Sequence, residues 1–234
     1  FMNPTTPLLP NLEEYLEEWG IKFNRHTDNL GNVHGTAIRD YQNSLTEDGM
    51  TVVGTYYTYG LGASLHRDMR TTYPPKVIFK NAMGISYSDT YESTWHQDEE
   101  DASNNFLYGS YYKDGISRGM YDIFVSPATA TEVYDTTVVS QATVKDPYKL
   151  MTLTRESRMV DNENEDYSYV LACGSTDFLS STLLLSNTYG NTDLMLSALR
   201  ATGRELVPVG LKLKPCASSN IETLTTARAN RYTI

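Results

Sequence analysis

The chain has 234 residues, 40% of them hydrophobic, with 19 Lys and Arg against 29 Asp and Glu for a formal net charge of -10. That length and apolar share allow a sizeable core, as one large domain or two small ones, and argue against disorder. The acidic balance, with no basic run to offset it, sets nucleic acid aside as a partner and disfavours a face lying flat on anionic lipid.

In chain order, the opening Phe1-Met2-Asn3-Pro4 has neither a charged n-region nor an apolar h-region, so no signal peptide is read there. It resembles the tail of a strand, and with Met2 in second place the chain is expected to be excised from a longer protein. Residues 11–20 predict a helix: Asn11 as N-cap, Glu13 and Glu14 in the first turn, Leu12, Tyr15, Leu16 and Trp19 as the apolar face, and Gly20 as the stop. Ile21-Lys22-Phe23 alternates as a short strand. Residues 28–35 read as a polar loop, 36–45 as a short helix or irregular segment, and 50–59 as a β-branched, aromatic strand. Short buried strands are expected at 76–79 and 84–87.

Residues 88–118 show the weakest pattern and are read as a long excursion, part of an insertion over 88–146 within a single domain spanning 1–234. The strand pattern resumes at 148–154, followed by an acidic turn at 161–166 and a strand at 167–173, which fit a hairpin or adjacent sheet positions. Residues 178–185 are apolar but interrupted by serines. Asn191 or Thr192 then caps a helix through Arg200, with Leu194, Met195, Ala198 and Leu199 inward and Gly203 ending it, and 205–214 closes as a strand. An apolar run, a polar turn and a helix over 167–200 are how a parallel α/β sheet delivers side chains to its carboxyl edge. No stretch approaches the roughly 18 apolar residues of a membrane span.

No segment offers a full catalytic set. His66-Arg67-Asp68 spells the start of a kinase loop, but Tyr73 stands where that loop needs Asn. The glycines of 59–63 lack both the third glycine of a dinucleotide fingerprint and the Lys-Ser/Thr of a phosphate loop. The acidic runs 97–101 and 161–166 lack the ligand pattern of a calcium loop, and His96 and Glu99 have no partner signal for a metal. Cys173 and Cys216 have no zinc-type spacing, so neither a metal nor a cofactor is expected. Cys173 sits where a nucleophile elbow would place a thiol, but Leu171 and Ser175 replace the elbow's glycines, which favours a buried structural thiol. Asp177, beyond the strand end, is read first as a cap and second as a ligand contact, with Ser175 and Asn191 beside it as candidate ligand-binding residues. The 18 tyrosines suggest half-buried rings with hydroxyls near water, as on an exported domain.

Three pieces, residues 10–21, Gly174-Ser175-Thr176-Asp177-Phe178 with residues 189–193, and Leu211-Lys212-Leu213-Lys214-Pro215, together resemble the extracytoplasmic domain of the GldG-like auxiliary proteins of ABC transport systems. The resemblance implies an α/β three-layer sandwich with a mostly parallel sheet, similar to the glutamine-amidotransferase-like fold without its catalytic elbow, carrying an irregular or β-rich insertion. It implies a non-enzymatic domain on the extracytoplasmic face of a bacterial membrane, anchored by segments outside this chain, the membrane helix following a segment like 221–234. Its implied partners are ABC permease and ATPase subunits, with a small-molecule ligand as a further possibility. Two rival readings stand beside it: a Cys173-dependent amidotransferase-like or hydrolase enzyme, and a solute-binding domain feeding a permease.

Overall fold

The computed structural model describes residues 1–56, 65, 75–96, 106–113, 115–160 and 165–203. Outside them lie His66-Arg67-Asp68, the glycines of 59–63, the acidic run 97–101, residues 161–164, Cys216 and the strand expected over 205–214.

The first helix, α1 (Pro10–Glu18), starts one residue earlier than expected. Asn11 is not its cap: Leu9 holds that position, Pro10 supplies a preset first turn, and the Glu13 carboxylate accepts the Leu9 N–H at 3.1 Å. Leu12 and Tyr15 also point outward, so only Leu16 and Trp19 of the expected apolar face pack inward. Gly20 ends the helix at φ +81, where a Cβ would lie 2.7 Å from the Tyr91 ring, so glycine is required twice over.

The strands follow as β1 (Ile21–Phe23), β2 (Arg25–Thr27), β3 (Val33–Gly35), β4 (Ala37–Arg39), β5 (Thr51–Tyr56), β6 (Val77–Lys80) and β7 (Ile85–Tyr87). Then come β8 (Glu92–His96), β9 (Phe106–Lys113), β10 (Ile116–Val125), β11 (Thr131–Tyr134), β12 (Thr137–Gln141), β13 (Lys149–Met159) and β14 (Glu165–Cys173). A 3-10 turn at Asp177–Leu179 leads to α2 (Ser181–Leu184) and α3 (Asn191–Thr202). The polar loop expected at 28–35 is a hairpin of β2 with β3, and the segment at 36–45 begins with β4.

The expected mostly parallel α/β sandwich is overturned: every paired strand among the described residues runs antiparallel to its neighbour. The large sheet runs β1-β7-β13-β10-β5-β6, with β14 on β13 and the β8–β9 pair on β10. The run 167–173 does end in a polar turn, but β14 returns from β13 as a hairpin instead of crossing over, so its direction is reversed. Residues 88–118, read as an excursion, supply β8, β9 and the first part of β10, a central strand of the sheet.

Two cores result. Under α1 lie Trp19, Ile21, Phe23, Met83, Ile85, Met120 and Ala172. On the opposite face, Phe79 sits 5.6 Å from Phe124 and 5.4 Å from Phe178, ring to ring, in a larger core that Leu194 and Ala198 of α3 close. Leu199, expected inward, is 56% exposed. The turn after β14 needs Gly174, because a Cβ there would meet the Met83 carbonyl oxygen at 1.9 Å.

Strand β6 would be a bare edge, and residues 189–191 cover it. Gly190 N–H donates to the Lys76 C=O at 2.9 Å, while the Asn191 side chain accepts from Ile78 N–H at 3.1 Å and donates to its C=O at 2.9 Å. A fully buried Asn191 thus replaces a rung of a neighbouring strand. Asn191→Leu keeps the volume but strands both Ile78 groups, and is expected to lower unfolding free energy in urea by about 2–4 kcal/mol with the slope unchanged.

Asp122 lies where β10 bulges against β13, 4% exposed, with one carboxylate oxygen 3.9 Å from Lys149 Nζ and the other without a hydrogen-bond partner among the described residues. Burial pushes its carboxyl up to about 6, against the pull of Lys149 and with a push from Asp146. The folded state therefore holds this proton more tightly than the unfolded chain, whose Asp titrates near ~3.9. Its contribution to stability is complete below about pH 4 and is lost as pH rises to about 6. Urea titrations from pH 4 to 7 should show that decline in the parent chain, and Asp122→Asn should remove the Asp122 share of it.

Candidate functional site

An open groove of about 500 Å³ lies beside the C-terminal half of α1. One wall is Glu14, Glu17 and Glu18, at the i, i+3, i+4 spacing that puts side chains on one helix face. The other wall is Tyr111, Lys113, Ile116 and Arg118 from β9 and β10, with Ser88 and Thr90 at the end.

Arg118 is locked in place. Its Nε donates to Glu156 Oε2 at 2.7 Å, its Nη1 donates to the Glu18 C=O at 2.6 Å, and its guanidinium lies 4.7 Å from the Trp19 ring centre. The Tyr91 hydroxyl donates to the same Glu18 carbonyl at 3.1 Å, and Thr154 donates to the Trp19 C=O at 2.8 Å. These bonds satisfy carbonyls that a helix end leaves free, and they place a cation at the negative end of the helix dipole. Tyr91 stacks on Tyr111 at 5.6 Å, and burial pushes its phenol up to about 12, against the pull of Arg118.

Glu14, Glu17 and Glu18 make no side-chain hydrogen bond or ion pair among the described residues, and all three are exposed. Ser88 and Thr90 share a hydroxyl hydrogen bond at 3.0 Å. The groove thus sets the carboxylates of Glu14, Glu17 and Glu18 on one wall against Tyr111, Lys113 and a fixed Arg118 on the other, so its helix side and aromatic face suit a polar cationic group.

The three residues singled out from the sequence converge on β6 and the residue after it. Ser175 Oγ donates to the Lys80 C=O at 2.5 Å and accepts the Phe178 N–H at 3.2 Å. Asp177 accepts a hydrogen bond from Asn81 Nδ2 at 2.5 Å rather than capping a backbone turn, and Asn81 itself stands at φ +50. Asn191 bridges Ile78. Ser175 and Asn191 are fully buried, while Asp177 keeps partial exposure.

A second polar cluster joins the β2–β3 hairpin to β11. His34 Nε2 lies 3.1 Å from an Asp28 carboxylate oxygen, and the rings of His26 and His34 sit 4.6 and 5.1 Å from that of Tyr134. Hydrogen bonds, first from Asn32 and then from His34, hold the Asp28 carboxyl well below the usual range. No group of three or more His, Cys, Asp or Glu among the described residues is arranged to hold a metal.

Sequence reasoning missed Arg118 and Tyr111 because both fall in the segment read as an excursion. The helical spacing of Glu14, Glu17 and Glu18 was the available signal. No helix among the described residues is long and apolar enough to cross a membrane. Comparison with known families, curated proteins and solved structures found no match.

Cys173 is fully buried, and burial pushes its thiol up to about 12, with the Ser175 carbonyl as its contact at 3.5 Å. At neutral pH its thiolate is scarcely populated, so Cys173 has neither the exposure nor the ionisation of a nucleophile. A thiol-reactive probe at pH 7.5 should leave Cys173 unmodified in the folded chain and label it once urea unfolds the protein, as peptide mass mapping would show.

Proposed function

We propose that this chain is a binding domain whose working surface is the groove beside α1, taking a positively charged segment of a partner protein. One observation carries the reading: three exposed carboxylates, none with a side-chain hydrogen bond or ion pair among the described residues, face a wall that contains the Tyr111 ring and a fixed Arg118. A lysine or arginine entering the groove gains the carboxylates and the Tyr111 face, which stacking on Tyr91 orients. A Cys-dependent enzyme draws no support from Cys173, which is buried and protonated.

The transport setting is carried into this proposal by the three resembling segments alone, since the α/β sandwich that the resemblance also implies is not the fold. In that setting the domain stands on the extracytoplasmic face of a membrane, and its cationic partner segment belongs to the ABC permease, the ATPase being reached only through it. A solute-binding role would call for an enclosed cleft, and the groove is open along one side.

Titration calorimetry with a lysine-rich peptide tests the groove directly. Binding should weaken about tenfold in Glu14→Lys/Glu17→Lys, through loss of two attractions and gain of two repulsions, and weaken further as salt rises. Affinity unchanged by both the charge reversal and salt would remove the groove as the site.

A further inference from the structure

Two of the sheet's edge strands, β6 and β14, are treated differently. β6 is covered by Gly190 and Asn191, whereas β14 pairs, among the described residues, with β13 alone. On its outer side, among the described residues, the main-chain contact is the Met2 N–H donating to the Cys173 C=O at 3.0 Å. In an antiparallel ladder the N–H and C=O of a residue point the same way and successive residues alternate. The outward Cys173 carbonyl therefore sets Leu171, Tyr169, Tyr167 and Glu165 outward too, as rungs able to take another strand.

The flanks of this edge define what fits it. On one face a groove of about 220 Å³ runs between β14 and α1, lined by Leu9, Leu12, Leu16, Phe23 and Val170, with Leu12 45% exposed. On the other face stand Leu171 and Tyr169. The far end of the edge carries Glu165 and Asp166. A second copy of this chain is a poor occupant: its formal net charge is -10, and an antiparallel pairing centred on Tyr169 would bring Glu165 against the Cys173 rung that Met2 fills.

We propose that the outer edge of β14 is a docking site for an extended segment of a partner protein, added as a further strand. That segment is apolar where it passes Leu171 and the α1 groove, and carries Lys or Arg where it passes the exposed Glu165. Main-chain rungs supply affinity, and the apolar groove and acidic end select the sequence. This surface lies between α1 and β14, away from Glu14 and Glu17, so its test is separate from that of the other groove.

Two fluorescein-labelled peptides of alternating valine and threonine, one beginning and one ending in two lysines to allow either strand direction, would be titrated against the whole chain by anisotropy. Saturable binding of one of them is expected. Tyr169→Pro removes an outward donor while leaving the ladder to β13 in place, and should weaken binding about tenfold. Leu12→Asp and Glu165→Lys, both at exposed positions, should weaken it several-fold, and they carry the test if the proline variant does not fold. No saturation at millimolar peptide, saturable binding indifferent to Leu12→Asp and Glu165→Lys, or a dimer in sedimentation that Leu12→Asp abolishes would each overturn the proposal.

Discussion

The architecture depends on the point where β10 exchanges partners. From Ile116 to Met120 it lies between β13 and β9, and at Phe124 and Val125 it lies between β13 and β5. Its register with β13 slips twice in this stretch: Ile123 is the extra residue on β10, and Leu150 is the extra residue on β13. The slips compensate, so the ladder continues while both strands bend. Ile123 and Leu150 are buried in the larger core, which gains two side chains at the bend. A straight β10 would carry β9 along its whole length and leave no place for β5 and β6. Phe79 would then be lost from the aromatic cluster with Phe124 and Phe178, and the backbone that Asn191 covers would be gone.

Because the cores lie on opposite faces of this bent sheet, α1 is placed unusually. No residue within its span is buried, so its stability does not come from an apolar stripe along its length. It is held at its ends instead. At the first turn, Glu13 meets Arg25 at 2.6 Å, and Arg25 also donates to the carbonyls of Thr6 and Pro7. The pair is largely shielded from water, so losing one partner would leave a buried charge, costing about 3–5 kcal/mol. At the last turn, Trp19 is the apolar anchor and Arg118, Tyr91 and Thr154 satisfy the terminal carbonyls. Anchoring at both ends leaves the Glu14, Glu17 and Glu18 face free, and the groove exists for that reason.

Much of the strand content was legible in the sequence. β1, β5, β6, β7, β13 and β14 fall within a few residues of expectation, as does the hairpin signalled by the acidic turn at 161–166. Pairing direction was not legible, because an apolar run states that a strand is buried and says nothing of which way its neighbour runs. The central strand β10 was hidden for a related reason. Its first half alternates weakly, with Ile116, Arg118 and Met120 on one face, and its second half is buried on both faces after the bend. No single period describes such a strand. Of the groove, the helical wall was visible in the spacing of the glutamates, whereas Arg118 and Tyr111 come from strands 93 or more residues away in sequence, a separation that local pattern cannot bridge.

The polar residues after β14 show why a turn pattern can look like a site. Ser175, Asp177 and Asn191 lie beyond a strand end, where ligand-binding groups of parallel α/β sheets gather, and all three are polar and closely spaced in the fold. Here they face β6. Ser175 takes the Lys80 carbonyl, Asp177 holds the Asn81 side chain at its left-handed turn, and Asn191 takes both main-chain groups of Ile78. Ser175 and Asn191 supply main-chain hydrogen bonds that an additional strand would otherwise provide, and Asp177 fixes the turn that follows β6. An edge strand with unpaired groups costs stability when buried and invites aggregation when exposed, so a chain that ends its sheet at β6 needs such residues whether or not it binds anything there. Asp177 alone of the three keeps partial exposure. The demand of the β6 backbone accounts for Ser175 and for Asn191 opening α3, and it marks the contrast with β14, whose outer rungs have no equivalent cover among the described residues.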